Sequence, residues 1–153
     1  MNNNRLNHSL AVAKKMIEIG KNCNLNKTDL YILFVIGINH DIGYEFTNNN
    51  LLHNHIGGNI LKETGFIYWK EIYYHGEINT KYASLYLDIL NQADMQIDIN
   101  GNDVGYEKRL SDIEKRYGKN SITYKKSYKL IEKLKNRKSW YYVTSKKYKE
   151  KIY

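Results

Sequence analysis

The chain has 153 residues, of which 42% are apolar, and its formal net charge at pH 7 is +8. This length fits one domain with one modest core. The absence of proline and the presence of only 10 glycines argue against a turn-rich β protein and favour helices joined by short loops. A single cysteine excludes a disulfide framework and a zinc knuckle, and it favours a reducing, cytoplasmic location.

The charge is unevenly distributed along the chain. Residues 1–114 contain 10 basic and 14 acidic side chains, whereas residues 115–153 contain 14 basic and 2 acidic ones. A basic, aromatic tail on a slightly acidic body suggests binding to a polyanion such as single-stranded nucleic acid. The abundance of Asn, Lys, Ile and Tyr is also typical of an AT-rich genome, in which lysine accumulates on surfaces without a function. The sequence leaves both interpretations open.

The first two predicted helices contain most of the N-terminal apolar residues. Residues 8–20 have the i, i+3, i+4, i+7 spacing of one apolar helix face. Thr28 or Asp29 is expected to cap the second helix, which continues through the run LYILFVIGI to about His40. That run has nine residues, far below the roughly 20 needed to cross a bilayer. We therefore expect the second helix to lie at the centre of a bundle. We also expect that the protein has no membrane partner.

The remaining predicted elements are helices joined by short polar segments. They span about 51–64, 68–74, 81–93, 106–117 and 121–138. Residues 98–105 read as a turn-rich loop, and residues 140–153 have no assignment. The sequence thus predicts an all-α, single-domain helical bundle. We expect a body over 1–118 and a basic helical C-terminal extension over 119–153, packed on it or appended to it.

Histidine and aspartate residues occur at the predicted ends of apolar helices. His8 opens the first of them, and Asp94 directly follows the apolar face of another. His40 and Asp41 close the most apolar helix. A charged aspartate beside core positions is costly unless it is paired or ligated. Imidazole and carboxylate together suit divalent transition metals, which activate water near neutral pH.

Four segments together resemble the HD superfamily of metal-dependent phosphohydrolases. They are RLNHSLAVA (5–13), FVIGINHDIGY (34–44), HNHIGGNIL (53–61) and LNQAD (90–94). The combination is specific, because a single His is followed by His-Asp-Ile-Gly, then by a His before a Gly-Gly helix start, and later by Ala-Asp. The resemblance covers about residues 5 to 94, with weaker support through Arg109.

The resemblance implies a helical bundle around a divalent transition metal, which could be Mn, Fe, Co or Ni. The metal ligands that it implies are His8, His40, Asp41 and Asp94. His53 and His75 match two further histidines that in the family often accompany a second metal, as in the dinucleoside-polyphosphate hydrolase branch, so one or two ions are expected. His55 is an alternative to His53, because both side chains could turn towards the site.

The resemblance also implies roles in catalysis and substrate binding. Asp41, His53 and His75 are the implied catalytic residues. Arg5 and Arg109 are candidate phosphate clamps, because a guanidinium grips phosphate in a bidentate manner. Many family members have a lysine at the position of Tyr44, so a phosphate contact by that lysine is absent here.

The predicted function is therefore a metal-dependent phosphohydrolase that acts on a nucleotide or a related phosphate ester. It could be a phosphomonoesterase or a phosphodiesterase or pyrophosphohydrolase. The alternative is a non-catalytic nucleotide- or nucleic-acid-binding module that uses the basic, aromatic C-terminal segment. The expected partner is a small-molecule phosphate or nucleotide, nucleic acid is a further candidate through the tail, and a homodimer is open.

Overall fold

The structure is a computed structural model that describes residues 2–78 and 80–136. Its α-helices are α1 (Asn3–Asn22), α2 (Lys27–Asn39), α3 (His53–Glu63), α4 (Trp69–Tyr74), α5 (Leu85–Asp94), α6 (Gly105–Tyr117) and α7 (Ile122–Asn136). A short 3₁₀ helix, Ile42–Glu45, connects α2 to the segment before α3. Within the described ranges the β structure is one isolated bridge between Ile97 and Asp103, so the predicted all-α fold is confirmed.

The first helix begins earlier than predicted. The side chain of Asn2 accepts a hydrogen bond from the backbone N–H of Arg5 at 2.8 Å, which caps α1 and allows it to start at Asn3. His8 therefore lies in the second turn of α1, and the prediction that it opens the helix was wrong. The polar residues before His8 are helical because the Asn2 cap, and not a pattern of apolar residues, determines where α1 begins.

The cap of α2 is Asn26, and not Thr28 or Asp29 as predicted. Asn26 accepts from the backbone N–H of Asp29 at 2.8 Å, and Asp29 in turn accepts from the backbone N–H of Asn26. This reciprocal pair is a capping box, in which the acidic residue occupies the third helical position. Asp29 therefore stabilises the helix start from inside the helix.

The helix predicted over 81–93 begins instead at Leu85, where Ser84 accepts from the backbone N–H of Leu87. The preceding residues form a connection held by the buried carboxylate of Glu71, which accepts hydrogen bonds from the hydroxyls of Tyr82 and Ser84. Burial raises the pKa of Glu71, although these two donors oppose that effect.

The central helix of the bundle is α5, and not α2 as expected. Nine of the ten α5 residues are buried, and the helix contacts α1, α2, α4 and α7. By contrast, α2 packs mainly against α1, and Tyr31 on its outer face is 71% exposed. Apolarity on all sides therefore did not place α2 at the centre, because the side of the helix that contains Tyr31 stays exposed.

A second, smaller apolar cluster attaches α7 to the body. Leu130, Ile131 and Leu134 of α7 are buried together with Met95, which directly follows α5. The described part of α7 thus packs on α5 and α6, while residues 137–153, including the end of the predicted helix 121–138, lie outside the described residues. No helix in the described ranges combines the length and the apolarity needed to span a bilayer.

Candidate metal centre

Six polar side chains from five helices and their ends converge in the interior of the bundle. They are His8, His40, Asp41, His53, His75 and Asp94. Their ligand atoms fall into three overlapping groups, and within each group these atoms lie within 4.8 Å of one another. Five of the six residues stand at a helix terminus or directly beyond one, which is why distant parts of the chain can point into one small volume.

All four histidines have the same hydrogen-bonding arrangement. Each Nδ1 lies 2.6–2.8 Å from a backbone carbonyl oxygen, and these oxygens belong to Asp98, Gly37, Asn50 and Ile72. Because a carbonyl oxygen can only accept, Nδ1 must carry the proton, and Nε2 of the neutral ring is a lone pair. Every Nε2 faces the interior of the cluster, so the backbone fixes the four rings in the tautomer that binds a metal.

Asp94, the last residue of α5, forms one side of the cluster. Its Oδ1 lies 2.9 Å from Nε2 of His8 and 3.4 Å from Nε2 of His40. The His40 ring is fully buried, and its Nε2 has no hydrogen-bond partner among the described residues. A buried polar atom without a partner costs about 1–3 kcal/mol. The Nε2 atom of His40 therefore lacks a partner, and a divalent cation would supply one.

Asp41 forms the other side, and it contacts the cluster through both carboxylate oxygens. Its Oδ1 lies 3.3 Å from Nε2 of His53 and 3.7 Å from Nε2 of His75. These two nitrogens are only 3.2 Å apart. Two lone pairs repel each other at this distance, so a proton or a cation must neutralise them. Borderline nitrogen donors mixed with carboxylate oxygens fit Mn, Fe, Co or Ni, so the residues present fit a divalent transition metal.

Burial and charge act in opposite directions on this cluster. Burial lowers the pKa of His40, but Asp41 and Asp94 outweigh burial and raise that pKa to about 9. Burial raises the pKa of both aspartates, yet the facing histidines bring both pKa values well below the usual range. For His53 burial dominates, and its pKa is lowered. Protons on histidine can therefore partly replace a cation, and a metal would have to displace them.

The structure separates His53 from its alternative, His55. His55 stacks on Tyr73 with ring centroids 4.2 Å apart, and its Nε2 forms a hydrogen bond with the carboxylate of Glu77. Its ring is therefore held away from the cluster, whereas His53 contributes to it. Two residues along a helix correspond to a rotation of about 200°, so the two side chains point to different sides of α3.

Close backbone approaches bring His53 and His75 together. A Cβ added at Gly43 would lie 1.8 Å from the carbonyl oxygen of His53, and one at Gly58 would lie 2.5 Å from Cβ of Tyr73. The glycines thus allow α3 to pack directly on the 3₁₀ helix and on α4. Asn54, which sequence reasoning missed, donates from Nδ2 to the carbonyl oxygens of Tyr73 and His75.

Asp98 also has a role that the sequence analysis did not find. Its carboxylate accepts from the backbone N–H groups of Asn100 and Asn102. Its backbone carbonyl oxygen, however, accepts from Nδ1 of His8. A backbone atom carries this contact, so no side-chain pattern could have indicated it.

The two arginines predicted to bind phosphate lie beside the cluster. Nη1 of Arg5 is 3.3 Å from Oδ2 of Asp41, and its guanidinium carbon lies 3.6 Å from the ring centroid of Tyr44. Tyr44 stacks on the other side against His53 at 4.2 Å. Arg109 donates from Nε to the carbonyl oxygen of Asp94, and its Nη1 lies 3.3 Å from the carboxylate of Asp112.

An open pocket lies next to the cluster, and its empty space, which includes open solvent, amounts to about 740 Å³. Its floor includes Asp41, His53, His75 and Asp94, and Arg5 and Arg109 also line it. The opposite wall is formed by side chains of α6 and α7. A molecule in this pocket would therefore contact the cluster on one side and the two C-terminal helices on the other.

The family model for the HD domain matches residues 5–136 of this chain. The chain belongs to the HD-domain family. No curated protein and no solved structure matches it. The match runs from the start of α1 to the end of α7, so it includes all six residues of the cluster and both walls of the pocket. HD domains are generally metal-dependent hydrolases, and the His/Asp cluster described above can hold a metal.

Proposed function

We propose that this HD-domain protein is a metal-dependent phosphohydrolase that acts on a nucleotide or a related phosphate ester. The observation that supports it best is the arrangement of four histidine Nε2 lone pairs around two buried carboxylates, at the floor of an open pocket. Four imidazole nitrogens gathered around two buried carboxylates are costly in a core that only needs packing. The same arrangement suits a divalent cation, which the nitrogens and carboxylates could bind together.

The residues divide into two overlapping ligand sets. His8, His40, Asp41 and Asp94 would hold one ion. The first three form one of the groups of nearby ligand atoms, and Asp94 belongs to another group together with His40 and His75. The third group adds His53 and His75 to Asp41, and these would hold a second ion. Asp41 is suited to serve both sets, because its Oδ1 faces His53 and His75 while its Oδ2 lies 3.7 Å from Nε2 of His8.

When bound, a divalent ion would supply a Lewis acid and an activated water. The protein's own side chains would then position and neutralise the substrate. Arg5 and Arg109 line the pocket next to the carboxylates, so each can approach a phosphate oxygen without leaving the cluster. The lowered pKa of His53 keeps this ring neutral near pH 7, so it can bind an ion or accept a proton on the pocket side.

The test is an activity assay after metal replacement. Purified protein is stripped of metal, reloaded with Mn²⁺, Fe²⁺, Co²⁺ or Ni²⁺, and assayed on generic phosphate esters and on nucleotides. Activity should appear with at least one metal and should disappear in His40→Ala and Asp41→Ala. His55→Ala is the matched control, since this histidine stacks on Tyr73 outside the cluster and its loss should leave activity in place. Undiminished activity in both cluster variants would refute the proposal.

The alternative from the sequence is a non-catalytic module that binds nucleotide or nucleic acid through the basic C-terminal segment. Residues 137–153 of that segment lie outside the described residues. This alternative stays a prediction from sequence, and the same metal-replacement assay separates it from the enzyme.

A further inference from the structure

The pocket wall opposite the metal centre consists of one face of α6 and one face of α7. On α6 the lining residues Arg109, Ile113 and Arg116 follow the i, i+4, i+7 spacing of a single face. On α7 the lining residues include Lys126 and, one turn earlier, Thr123. Two cations and neighbouring hydroxyl groups from different helices therefore face the same open space.

These cations differ from the two arginines beside the cluster. Arg5 is paired with Asp41, and Arg109 is paired with Asp112. Neither Arg116 nor Lys126 forms an ion pair with a carboxylate in residues 2–78 and 80–136. Within the part of the chain that the structure describes, no carboxylate therefore neutralises the charges of Arg116 and Lys126.

The side chain of Arg116 is held by an aromatic neighbour. Its Nη2 donates to the hydroxyl of Tyr117 at 3.2 Å, and its guanidinium carbon lies 5.0 Å from the ring centroid of Tyr117. Such a contact positions a guanidinium without neutralising it, so Arg116 keeps donors for an anion. Lys126 is half-buried, and Ser127 next to it adds a hydroxyl to the pocket lining.

We propose that Arg116 and Lys126 form a second anion subsite, which binds a further phosphate group of a substrate whose reacting phosphorus lies at the metal centre. This inference rests on the proposed function in one respect, namely that the pocket admits a phosphate compound. Arg116 is seven residues beyond Arg109 on α6, which corresponds to about 10 Å along the helix axis. A phosphate held next to Arg109 at the cluster therefore leaves Arg116 available for a further phosphate of the same compound.

The subsite predicts a preference among phosphate compounds. Compounds with several phosphates should bind better than compounds with one, because only the former contact both ends of the pocket. The hydroxyls of Thr123 and Ser127 can donate to oxygens of the further phosphate, next to the ammonium group of Lys126. The specificity of the site would then reside in α6 and α7, and its chemistry in the metal centre.

The experiment compares two double variants with the same change in charge. Arg116→Gln/Lys126→Gln removes the subsite. Lys115→Gln/Lys125→Gln is the matched control, because each of its lysines is exposed, directly precedes a subsite residue and does not line the pocket. Metal-free protein is titrated calorimetrically with inorganic tripolyphosphate, which gives a readout without catalysis. Metal-loaded protein is assayed in parallel on a nucleoside triphosphate and the matching monophosphate.

In the subsite variant we expect the Kd for tripolyphosphate to rise roughly tenfold, as for the loss of two partly exposed charge contacts, and the control to stay within about twofold of wild type. In the assay, kcat/KM should fall by a similar factor for the triphosphate and not for the monophosphate. The subsite is refuted if wild type does not bind tripolyphosphate, if both variants weaken equally, or if neither changes. If only the proposed function fails, turnover will be absent, but the subsite variant will still bind tripolyphosphate more weakly than the control does.

Discussion

The two walls of the pocket use charge in opposite ways. On the metal-centre side, six polar residues are buried or nearly so, and every histidine ring is fixed through its Nδ1 by a backbone carbonyl oxygen. On the α6–α7 side, Arg116 is exposed, Lys126 is half-buried, and neither has a carboxylate partner among the described residues. Rigid, desolvated groups suit reaction chemistry, whereas solvated cations suit recognition of an anion. The variants below separate these two tasks.

The largest effect should come from removing one carboxylate of the metal centre. Asp94→Asn keeps the shape of the side chain but removes the charge that faces His8 and His40. Changes beyond the direct ligands of a metal already cost about 10- to 100-fold in metal affinity, so we expect a loss of at least about 100-fold here. Metal affinity is measured by competition with a chelator. The exposed Asp103, which pairs with Lys15, gives the control Asp103→Asn, whose affinity should equal that of wild type.

A smaller effect should follow from breaking the stack that links Arg5 to the metal centre. Tyr44 lies between the Arg5 guanidinium and the His53 ring, so Tyr44→Ala should release both. A cation–π contact contributes about 0.5–2 kcal/mol, which corresponds to a decrease in kcat/KM of roughly tenfold. Tyr44→Phe keeps the ring and should behave like wild type. Equal losses in Tyr44→Ala and Tyr44→Phe would show that the hydroxyl, and not the stack, is responsible.

The smallest effect should be a pH-dependent change in stability outside both walls. Burial raises the pKa of Glu71 in the folded protein, so its carboxyl group contributes stability below its unfolded pKa, and this contribution is lost as the pH rises through the raised value. Glu71→Gln removes this titration. The stability of wild type relative to Glu71→Gln should therefore fall as the pH rises above 4.5, the ordinary pKa of the glutamate carboxyl group. Urea unfolding at several pH values measures it.

The exposed Glu63 provides the control for that experiment, because Glu63→Gln should show no such pH trend relative to wild type. A parallel trend in both variants would mean that the dependence on pH arises from net charge and not from the buried contacts of Glu71 with Tyr82 and Ser84.

The sequence indicated residues of the buried cluster where a histidine or an aspartate stands at the end of an apolar helix. His40, Asp41 and Asp94 could be singled out because each stands at the end of an apolar helix, where a charged group is costly without a partner. Helix starts were less predictable. The capping roles of Asn2, Asn26 and Ser84 shifted the starts of three helices, because a side-chain cap acts within three residues and leaves no apolar signal.

The rest of the site depends on contacts that are distant in sequence or made by the backbone. Nothing in the sequence shows that the carbonyl oxygen of Asp98 fixes the ring of His8, 90 residues away. The sequence leaves open whether His53 or His55 contributes to the cluster, because from the sequence both side chains could turn towards it. Likewise, the basic residues of α6 and α7 are visible in the sequence, whereas only the packed helices show that Arg116 and Lys126 line the pocket.

The central claim is that the buried histidines and aspartates hold metal, and metal content per chain tests it most directly. Elemental analysis of purified protein, and of protein stripped and then reloaded with Mn²⁺, Fe²⁺, Co²⁺ or Ni²⁺, should give one or two ions per chain. The Asp94→Asn variant should give markedly fewer. A wild-type protein that retains no transition metal under any of these conditions, or a variant that retains as much as wild type, would contradict the account.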